Sequence, residues 1–332
     1  MIIIADSTGA ELRAVKFLEY DFEVGDFENS FLVTGNRAEW EAVPDKARIY
    51  IPGTEYGGIY KHLETDTKNG TFGLGGYTWR GMLQNKVIQP ASGADYATDS
   101  GELNAVIKAR VEAAFPGLFT GTSESTGVTV SYQYNRYVTL YDGLKAMLKS
   151  VGYRLEIAYD QTLKKVVVSA APIVDYSPQI EYSSDMNADY FMNLNDSGVN
   201  HLICLGSGEL QNRIVVHLYV DADGNISQTQ TFFGADEIAA VYDYAGADAA
   251  TLVQSGTQQL KNMASRDTFQ MELETAQEVA IGDIVGSRDY TTGNTMTAPI
   301  TTKIVKWKDG FEEVEYQLAE EVTVEPIADS EE

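Results

Sequence analysis

In residues 76–83 the sequence reads GYTWRGML. This run follows several closely spaced glycines and an Asn-Gly pair at positions 69–70, the dipeptide most typical of a tight hairpin turn. Trp79, Met82 and Leu83 then recur at the i, i+3, i+4 spacing of one helical face. The stretch therefore predicts a β-hairpin that leads into a short helix. Two interpretations stay open at this point: the helix forms the floor of a binding pocket, or it closes a seam within a structural protein.

The composition is that of a folded, β-rich protein. The chain has 332 residues, of which 44% are hydrophobic and 11% aromatic, which is enough for a sizeable core and for two or three domains. Its 20 tyrosines and 29 glycines accompany only eight prolines, and short runs of Val, Ile, Thr and Tyr recur along it. Because these residues are enriched in strands, we expect a β-rich α+β fold with helices in the minority.

The charge of the chain is strongly negative, since 49 acidic and 24 basic residues give a net charge of −25. A surface of this sign repels phosphate backbones and anionic lipid headgroups, which argues against sequence-specific DNA binding and against membrane anchoring. Only three aliphatic residues precede Asp6, too few for a signal peptide, and no stretch approaches a membrane span. The single cysteine, Cys204, excludes an intramolecular disulfide and is expected to pack as a small hydrophobe.

Changes in composition and in the spacing of apolar residues along the sequence predict three modules and a tail. Residues 1–90 alternate polar and apolar side chains as strands do, and form a first β-rich domain. Residues 91–175 combine helical spacing with a hairpin and are expected to be an α+β insertion module. Residues 176–325 again show the alternation typical of strands and are expected to form a second β-rich domain, with an Ala-rich helical insertion at about 235–265. Residues 326–332 form an acidic tail.

Helices are expected at three further places. Asp99 and Glu102 have the spacing of a capping box and precede an apolar stripe that ends at Pro116. A second stripe runs over residues 140–151, and a hairpin follows it at 153–172. Within the Ala-rich insertion, helical spacing is also predicted in two places, first at Ile238, Val241 and Tyr242 and later at Leu252, Val253, Leu260 and Met263.

No catalytic, metal or cofactor site is predicted. The run DADGN at 221–225 resembles the start of a calcium loop, but Phe232 occupies the twelfth position, where a bidentate Glu is required, and a hairpin turn explains the run better. The glycines of GTFGLGG at 70–76 fit neither the dinucleotide nor the phosphate-loop spacing. The histidines lack metal-ligand spacing and are expected to be ordinary strand residues: His62, His201 and His217.

The abundant carboxylates leave one enzymatic alternative open. Glu181, Asp185 and Asp189 could act as acid and nucleophile in a glycoside hydrolase. Among 49 acidic residues, however, such pairs arise by chance, and no apolar surroundings mark one of them for a raised pKa. The residues by themselves therefore favour an acidic, multi-module protein without a visible active site.

Three longer motifs carry a resemblance to a known family. They are GYTWRGMLQNKVIQP at 76–90, GVNHLICLGSGELQNRIVVHLYVDADGNI at 198–226 and VAIGDIVGSRDYTTG at 279–293. As a set they resemble the tail hub-like structural proteins of siphophages and prophages, which lie where the tail tube meets the tip. The resemblance covers nearly the whole chain, from about Tyr20 to Leu318.

The resemblance implies a non-enzymatic component of the virion, made in the host cytoplasm and assembled into the phage tail tip or baseplate. It implies a homotrimeric ring in which each chain supplies two β-barrel-like hub domains, so that the ring matches a hexameric tail tube or distal tail protein above it. Tip, fibre or lysin proteins would bind below, and genome DNA would pass through as cargo. An acidic channel wall would let the DNA pass without adhering.

The resemblance also gives provisional roles to the motif residues. Trp79, Met82 and Leu83 would be the apolar face of a short helix that plugs the first barrel. Arg80 would point away, toward a carboxylate or a neighbouring chain. Two further residues would turn the chain into the strand at 284–285: Gly282 and Asp283.

Two other functional classes remain as alternatives. A tail-associated cell-wall hydrolase would contain a compact catalytic domain with converging ionisable groups. A carbohydrate-binding adhesin would carry a surface groove lined by aromatic side chains, and the 20 tyrosines keep that alternative open.

Overall fold

The chain divides into two compact units. Its computed structural model describes residues 1–16, 19–39, 41–178, 181–182, 188–193, 197–222, 224–264, 268–273, 279–289, 292–308, 310–319 and 323–326. Unit 1 comprises Met1–Tyr190, Met271–Ala319 and Glu325–Glu332, and unit 2 comprises Phe191–Gln270 and Glu320–Val324. The α-helices of the described ranges are α1 (Trp79–Gln84), α2 (Leu103–Ala114), α3 (Leu140–Lys149) and α4 (Ala249–Met263). None of them combines the length and the apolar character that crossing a bilayer requires.

Strands dominate both units. In chain order they are β1 (Ile2–Ala5), β2 (Glu11–Val15), β3 (Glu19–Gly25), β4 (Ser30–Asn36), β5 (Arg48–Tyr50), β6 (Gly57–Ile59), β7 (His62–Asp66), β8 (Thr71–Tyr77), β9 (Thr98–Glu102), β10 (Phe119–Gly121), β11 (Thr129–Gln133), β12 (Tyr153–Asp160), β13 (Lys165–Pro172), β14 (Glu181–Tyr182), β15 (Ala188–Asn193), β16 (His201–Leu205), β17 (Val215–Val220), β18 (Ile226–Ser227), β19 (Ala239–Asp243), β20 (Thr268–Leu273), β21 (Ile284–Asp289), β22 (Asn294–Lys308), β23 (Phe311–Leu318) and β24 (Thr323–Pro326). Of the predicted acidic tail, residues 327–332 lie outside the described residues.

Two sheets of unit 1 pack against each other. A nine-stranded sheet has the order β14-β21-β22-β3-β4-β8-β7, with β23 and β24 also paired to β22, and a four-stranded sheet has the order β2-β1-β5-β6. Alternation along each strand sends every second side chain into the space between the sheets. The resulting core contains Phe22, Phe31, Val33, Phe72 and Leu74 from the larger sheet and Ile2, Ile4 and Ile49 from the smaller one.

The long strand β22 pairs with more strands of the nine-stranded sheet than an ordinary strand can, because its two parts have different partners. Its first part pairs antiparallel with β21, from Ile284↔Pro299 to Asp289↔Asn294. Its second part lies between β3 and β23, and Val305 is opposite Phe22 on one side and Val314 on the other. Strands from the first and third predicted modules therefore share one sheet, which the sequence did not indicate.

The α+β part of unit 1 forms the second core. The hairpin of β12 and β13 is antiparallel, β10 joins β13 in parallel, and α2 and α3 supply the helical side of the cluster. The predicted capping box is wrong in one respect. Glu102, rather than Asp99, is the N-cap of α2, because pairing of β9 with β11 keeps residues 98–102 extended; its carboxylate accepts the Ala105 N–H at 2.9 Å.

Unit 2 contains a four-stranded sheet packed on α4. The sheet has the order β18-β17-β16-β19, and Leu202, Cys204 and Leu218 face Leu252 and Leu260 of the helix. Cys204 is fully buried, as expected. A Cβ at Gly256 would lie 2.5 Å from its sulfur, so the helix approaches the sheet closely because that position is glycine.

The predicted helix over Ile238, Val241 and Tyr242 is wrong. These residues belong to or precede β19, which pairs in parallel with β16, and only the later half of the insertion, α4, is helical. A strand that is covered on one face can show apolar residues at three- and four-residue intervals by chance, and its partner lies about 40 residues away in the sequence, beyond the range of periodicity.

The β-rich α+β fold class is confirmed. Within the described residues the strand order of each sheet is open, so the two-barrel arrangement is taken up again below as a proposal. The module boundaries at 90, 175 and 325 stay a prediction.

Candidate functional site

Hydrogen bonds of its N-cap residue fix the start of α1, the helix predicted from GYTWRGML. Thr78 is the N-cap of α1 and its hydroxyl accepts the Gly81 N–H at 3.4 Å. Its own N–H and hydroxyl both donate to the carbonyl of Asn29, at 2.8 and 3.0 Å. A Cβ at Gly81 would lie 2.4 Å from that same carbonyl, so a glycine at this position lets α1 dock on the β3–β4 turn.

The apolar side of α1 lies in the core of the α+β part. Trp79 is fully buried, stacks on Tyr159 with ring centroids 5.6 Å apart, and meets Phe119 edge to face at 6.4 Å. Leu83 is fully buried in the same cluster and Met82 packs against it. The prediction assigned these side chains to the first β module; the structure places them in the core that also includes α2 and α3.

Arg80 lies within the protein and is paired. Its Nε donates to Glu55 Oε2 at 2.7 Å, and its guanidinium lies 6.0 Å from the centre of the Tyr141 ring. Burial by itself would lower the pKa of Arg80, but the Glu55 carboxylate and the Tyr141 hydroxyl together outweigh burial, so the pKa is raised above its usual value. Burial raises the pKa of Tyr141 to about 12, against the opposing effect of the Arg80 charge. Arg80 is therefore a permanent buried cation whose carboxylate is supplied by the same chain.

Gly282 and Asp283 lie immediately before β21. Gly282 has a φ of +98°, in the region that favours glycine, and its N–H donates to the Ile300 carbonyl at 2.8 Å. Asp283 is 1% exposed, and its carboxylate accepts three hydrogen bonds: from Arg154 Nε at 2.9 Å, from the Val174 N–H at 2.9 Å and from the Ala280 N–H at 3.1 Å. The carboxylate therefore ties β12 to the start of β21.

The two motifs meet at one cavity within unit 1. Its volume is about 300 Å³, and Arg80 lies on one side of it and Gly282 on another. Lys145, which also lines it, donates to Asp26 Oδ1 at 2.5 Å. The other described lining residues are Tyr141, Lys149, Tyr153, Arg154, Leu155, Ile173, Ile281, Ile284, Pro299, Ile300, Thr301 and Ala319. The cavity could not be predicted from sequence patterns, because its lining residues are far apart in the sequence.

A second groove, of about 470 Å³, lies beside the N-terminus of unit 1. It is lined by Met1, Lys16, Tyr20 and Trp307 together with Ile2, Ala14 and Val15. Tyr20 and Trp307 are cross-strand neighbours with ring centroids 6.1 Å apart and planes inclined by 22°. The Tyr20 hydroxyl donates to Glu312 Oε2 at 2.7 Å, which fixes the ring.

Unit 2 brings together two of the three histidines. His201 Nδ1 lies 2.5 Å from Glu237 Oε1, and its Nε2 lies 2.8 Å from His217 Nδ1, while its ring stacks on Tyr219 at 4.3 Å. The sequence contained the signal, because in a hairpin of HLICL and VVHLYV both histidines fall on one face. His62 is separate from them and lies 2.8 Å from Glu64.

The remaining chemical candidates lie partly outside the described residues. Among the residues described here, no three His, Cys, Asp or Glu groups are placed to hold a metal ion. Asp221 accepts the Asn225 N–H at 2.8 Å in the turn between β17 and β18, and Asp223 of the same run lies outside the described residues. Of the carboxylates considered for hydrolysis, Asp185 also lies outside them.

Comparison with solved structures gives the fold. The chain is similar to a 43 kDa tail protein of prophage MuSo2 from Shewanella oneidensis, with a TM-score of 0.57, 12% identity, and coverage of 96% of this chain and 98% of the other. It is also similar to a tail protein from Neisseria meningitidis MC58 (TM-score 0.50, 14% identity, 96% and 95% covered) and to prophage tail protein gp18 from Listeria monocytogenes EGD-e (0.50, 12%, 96% and 94%). At these identities the likeness concerns the fold alone.

Comparison by sequence gives the family. A search of curated proteins found no match. The family described as Siphovirus ReqiPepy6 Gp37-like protein matches residues 10–323, nearly the whole chain. This agrees with the resemblance to phage tail structural proteins stated from the three motifs. The chain therefore belongs to the Siphovirus ReqiPepy6 Gp37-like family of phage tail proteins.

Proposed function

We propose that this chain is a non-enzymatic structural component of a phage tail tip or baseplate. It forms a homotrimeric hub ring in which each chain supplies two β-barrel-like domains, and it joins the hexameric tail tube to the distal tip, fibre or lysin proteins in the virion. The observation that carries the proposal is the family match over residues 10–323. The similarity in fold to three tail proteins over nearly their whole length supports it.

An open sheet edge supports ring formation. The nine-stranded sheet ends at β7, where residues 62–65 are all exposed and Leu63 retains 42% of its accessible surface. An unpaired edge of this kind invites pairing with another chain. Closure of a ring of identical copies would remove such edges.

One face of the same sheet supports a role in DNA passage. Glu19, Asp21 and Glu23 alternate with the buried Phe22 and Val24 of β3 and so project from the face opposite the core. Cross-strand pairing adds further side chains to that face: Lys306, Lys308, Glu313 and Glu315.

This face carries more carboxylates than lysines. Burial raises the pKa of Asp21 above its usual value, the charge of Lys306 opposes that rise, and the charge of Glu315 adds a smaller contribution to it. We propose that the face lines the channel. Like charge lets the genome pass without adhering, whereas each basic contact to a phosphate would add a binding site.

Light scattering on the purified chain tests the ring. The expected mass is three times the 36.4 kDa of the chain, with a ring visible in negative stain. A monomer that persists at high concentration, and also when the cognate tail-tube protein is added, would contradict the proposal.

Charge reversal tests the channel face. The double variant Asp21→Lys, Glu313→Lys is expected to slow DNA ejection from particles that assemble with normal tails, because it places cations along the path of the genome. The matched control is Asp95→Lys with Glu39→Lys, two exposed acids elsewhere in unit 1. Equal ejection rates for both variants would mean that this face does not line the channel.

The groove beside the N-terminus favours a second candidate function, carbohydrate binding. Tyr20 and Trp307 supply the aromatic lining that an adhesin requires. Binding of the purified chain to cell-wall glycan of the host, lost on Trp307→Ala, would support it. If the purified chain does not bind the glycan, the carbohydrate-binding function is rejected and the structural function is the remaining proposal.

A further inference from the structure

The cavity shared by the two motifs is rich in cations. Four of its described lining residues are cationic, namely Arg80, Lys145, Lys149 and Arg154, and the lining contains one carboxylate, Asp26. This is unusual in a chain of net charge −25. A cleft lined mainly by one sign of charge concentrates ligands of the opposite sign.

Three of the four cations already have a carboxylate partner. Arg80 pairs with Glu55 at 2.7 Å, Lys145 with Asp26 at 2.5 Å and Arg154 with Asp283 at 2.9 Å. Arg154 also has a looser contact, 3.9 Å, with an exposed glutamate of β12. Lys149, at the end of α3, forms no ion pair with any residue in the described part of the chain. Among the described residues, one positive charge at the cavity therefore has no close counter-charge.

Hydrogen-bond donors also remain at the cavity. The Arg80 guanidinium carries five N–H donors: its Nε donates to Glu55, its Nη2 donates to the Leu155 carbonyl at 3.5 Å, and it also interacts with the Tyr141 hydroxyl. Arg154 likewise uses Nε for Asp283, and its Nη2 has no acceptor there. Both arginines are held in place by these bonds, so their remaining N–H groups are fixed in direction. Fixed guanidinium N–H groups are suited to the planar and tetrahedral oxyanions of carboxylates and phosphates.

We propose that this cavity binds a compact oxyanion, a phosphate or carboxylate group, through Arg80, Arg154 and Lys149. A volume of about 300 Å³ is at the lower limit of small-ligand pockets and admits one such group on a small carrier. The ligand would link α1, α3 and β12, which carry Arg80, Lys149 and Arg154. This inference is independent of the proposed role of the chain in the tail.

Calorimetric titration of the full-length chain tests the proposal. The probes are inorganic phosphate and citrate, each titrated at constant ionic strength set with sodium chloride. Binding of phosphate alone identifies a phosphate site, and binding of citrate alone identifies a carboxylate site. The decisive variant is Lys149→Gln, which removes a lysine that has no ion-pair partner among the described residues and so leaves each described carboxylate with its partner. The matched control is Lys61→Gln, an exposed lysine outside the cavity lining.

The expected result is a Kd that rises roughly tenfold in Lys149→Gln and does not change in Lys61→Gln, because a charge-assisted hydrogen bond is lost only in the first. The melting temperature of the folded chain, measured without added anion, reports whether either variant has lost structure. If neither probe binds the wild-type chain at millimolar concentration, the proposal is overturned. It is equally overturned if both lysine variants bind with the wild-type Kd.

Discussion

Replacement of Trp79 by alanine should be among the most damaging substitutions in unit 1. The indole is fully buried between Tyr159 and Phe119. An aromatic side chain of this size buries about 200 Å², which at about 25 cal/mol per Å² corresponds to about 5 kcal/mol. The indole Nε1–H, however, finds no acceptor among the described residues, and an unsatisfied buried donor costs about 1–3 kcal/mol in the wild-type chain. We therefore expect a net loss of about 2–4 kcal/mol for Trp79→Ala.

The unsatisfied N–H makes a second variant informative. Trp79→Phe keeps most of the ring contacts and removes the orphaned donor, so it should lose only about 1–2 kcal/mol. Urea denaturation followed by far-ultraviolet circular dichroism measures both variants, with Tyr137→Ala as the control because Tyr137 is 59% exposed and should change stability by less than about 0.5 kcal/mol. If Trp79→Ala lost less than about 1 kcal/mol, the placement of this ring in the central cluster would be refuted.

Three further outcomes are expected in the same unit. Asp283→Asn removes the buried carboxylate that pairs with the half-buried Arg154 and should lower the free energy of unfolding by about 2 kcal/mol in urea, whereas an unchanged value would mean that the pair is solvated. Gly282→Ala forces a side chain onto a φ of +98° and places its Cβ 2.9 Å from Arg154 Cβ, so a melting temperature equal to that of wild type would contradict this backbone conformation. At Glu102, burial would raise the pKa, but hydrogen bonds, with those from Thr126 foremost, outweigh burial and lower the pKa below its unfolded value. The carboxylate therefore stabilises the fold at pH values above its unfolded pKa, and this stabilisation is lost as the pH falls through the folded pKa. Glu102→Gln should remove this pH dependence, so the free energy of unfolding should change less with pH below about pH 4.5.

Local sequence signals located the elements that depend on neighbours in the chain. The helix at Trp79–Gln84 was predictable because Thr78 caps it and three apolar residues share one face. The hairpin of β12 and β13 was predictable because alternation and turn residues are adjacent. The second helical stripe, α3, begins at Leu140 as its periodicity indicated.

Features that depend on residues far apart in the sequence could not be predicted from the sequence alone. Pairing of β3 with β22 joins residues about 280 positions apart, and neither strand contains information on its partner. The same holds for the ion pairs at the cavity, since Arg80 and Glu55 are 25 positions apart and Arg154 and Asp283 are 129 positions apart. With 49 acidic residues available, the sequence offered too many possible partners for each cation. The seam and pocket interpretations of GYTWRGML both stay predictions: Trp79 and Leu83 pack in a core, and Arg80 lines a cavity.

Electron cryo-microscopy of the native particle tests the central proposal most directly. A reconstruction of the tail end, with this chain fitted to the density, is expected to have three copies arranged around the tail axis at the end of the tube, with the acidic face of β3 and β23 toward the channel. A particle that lacks the chain, or that carries a single copy away from the axis, would contradict the proposal.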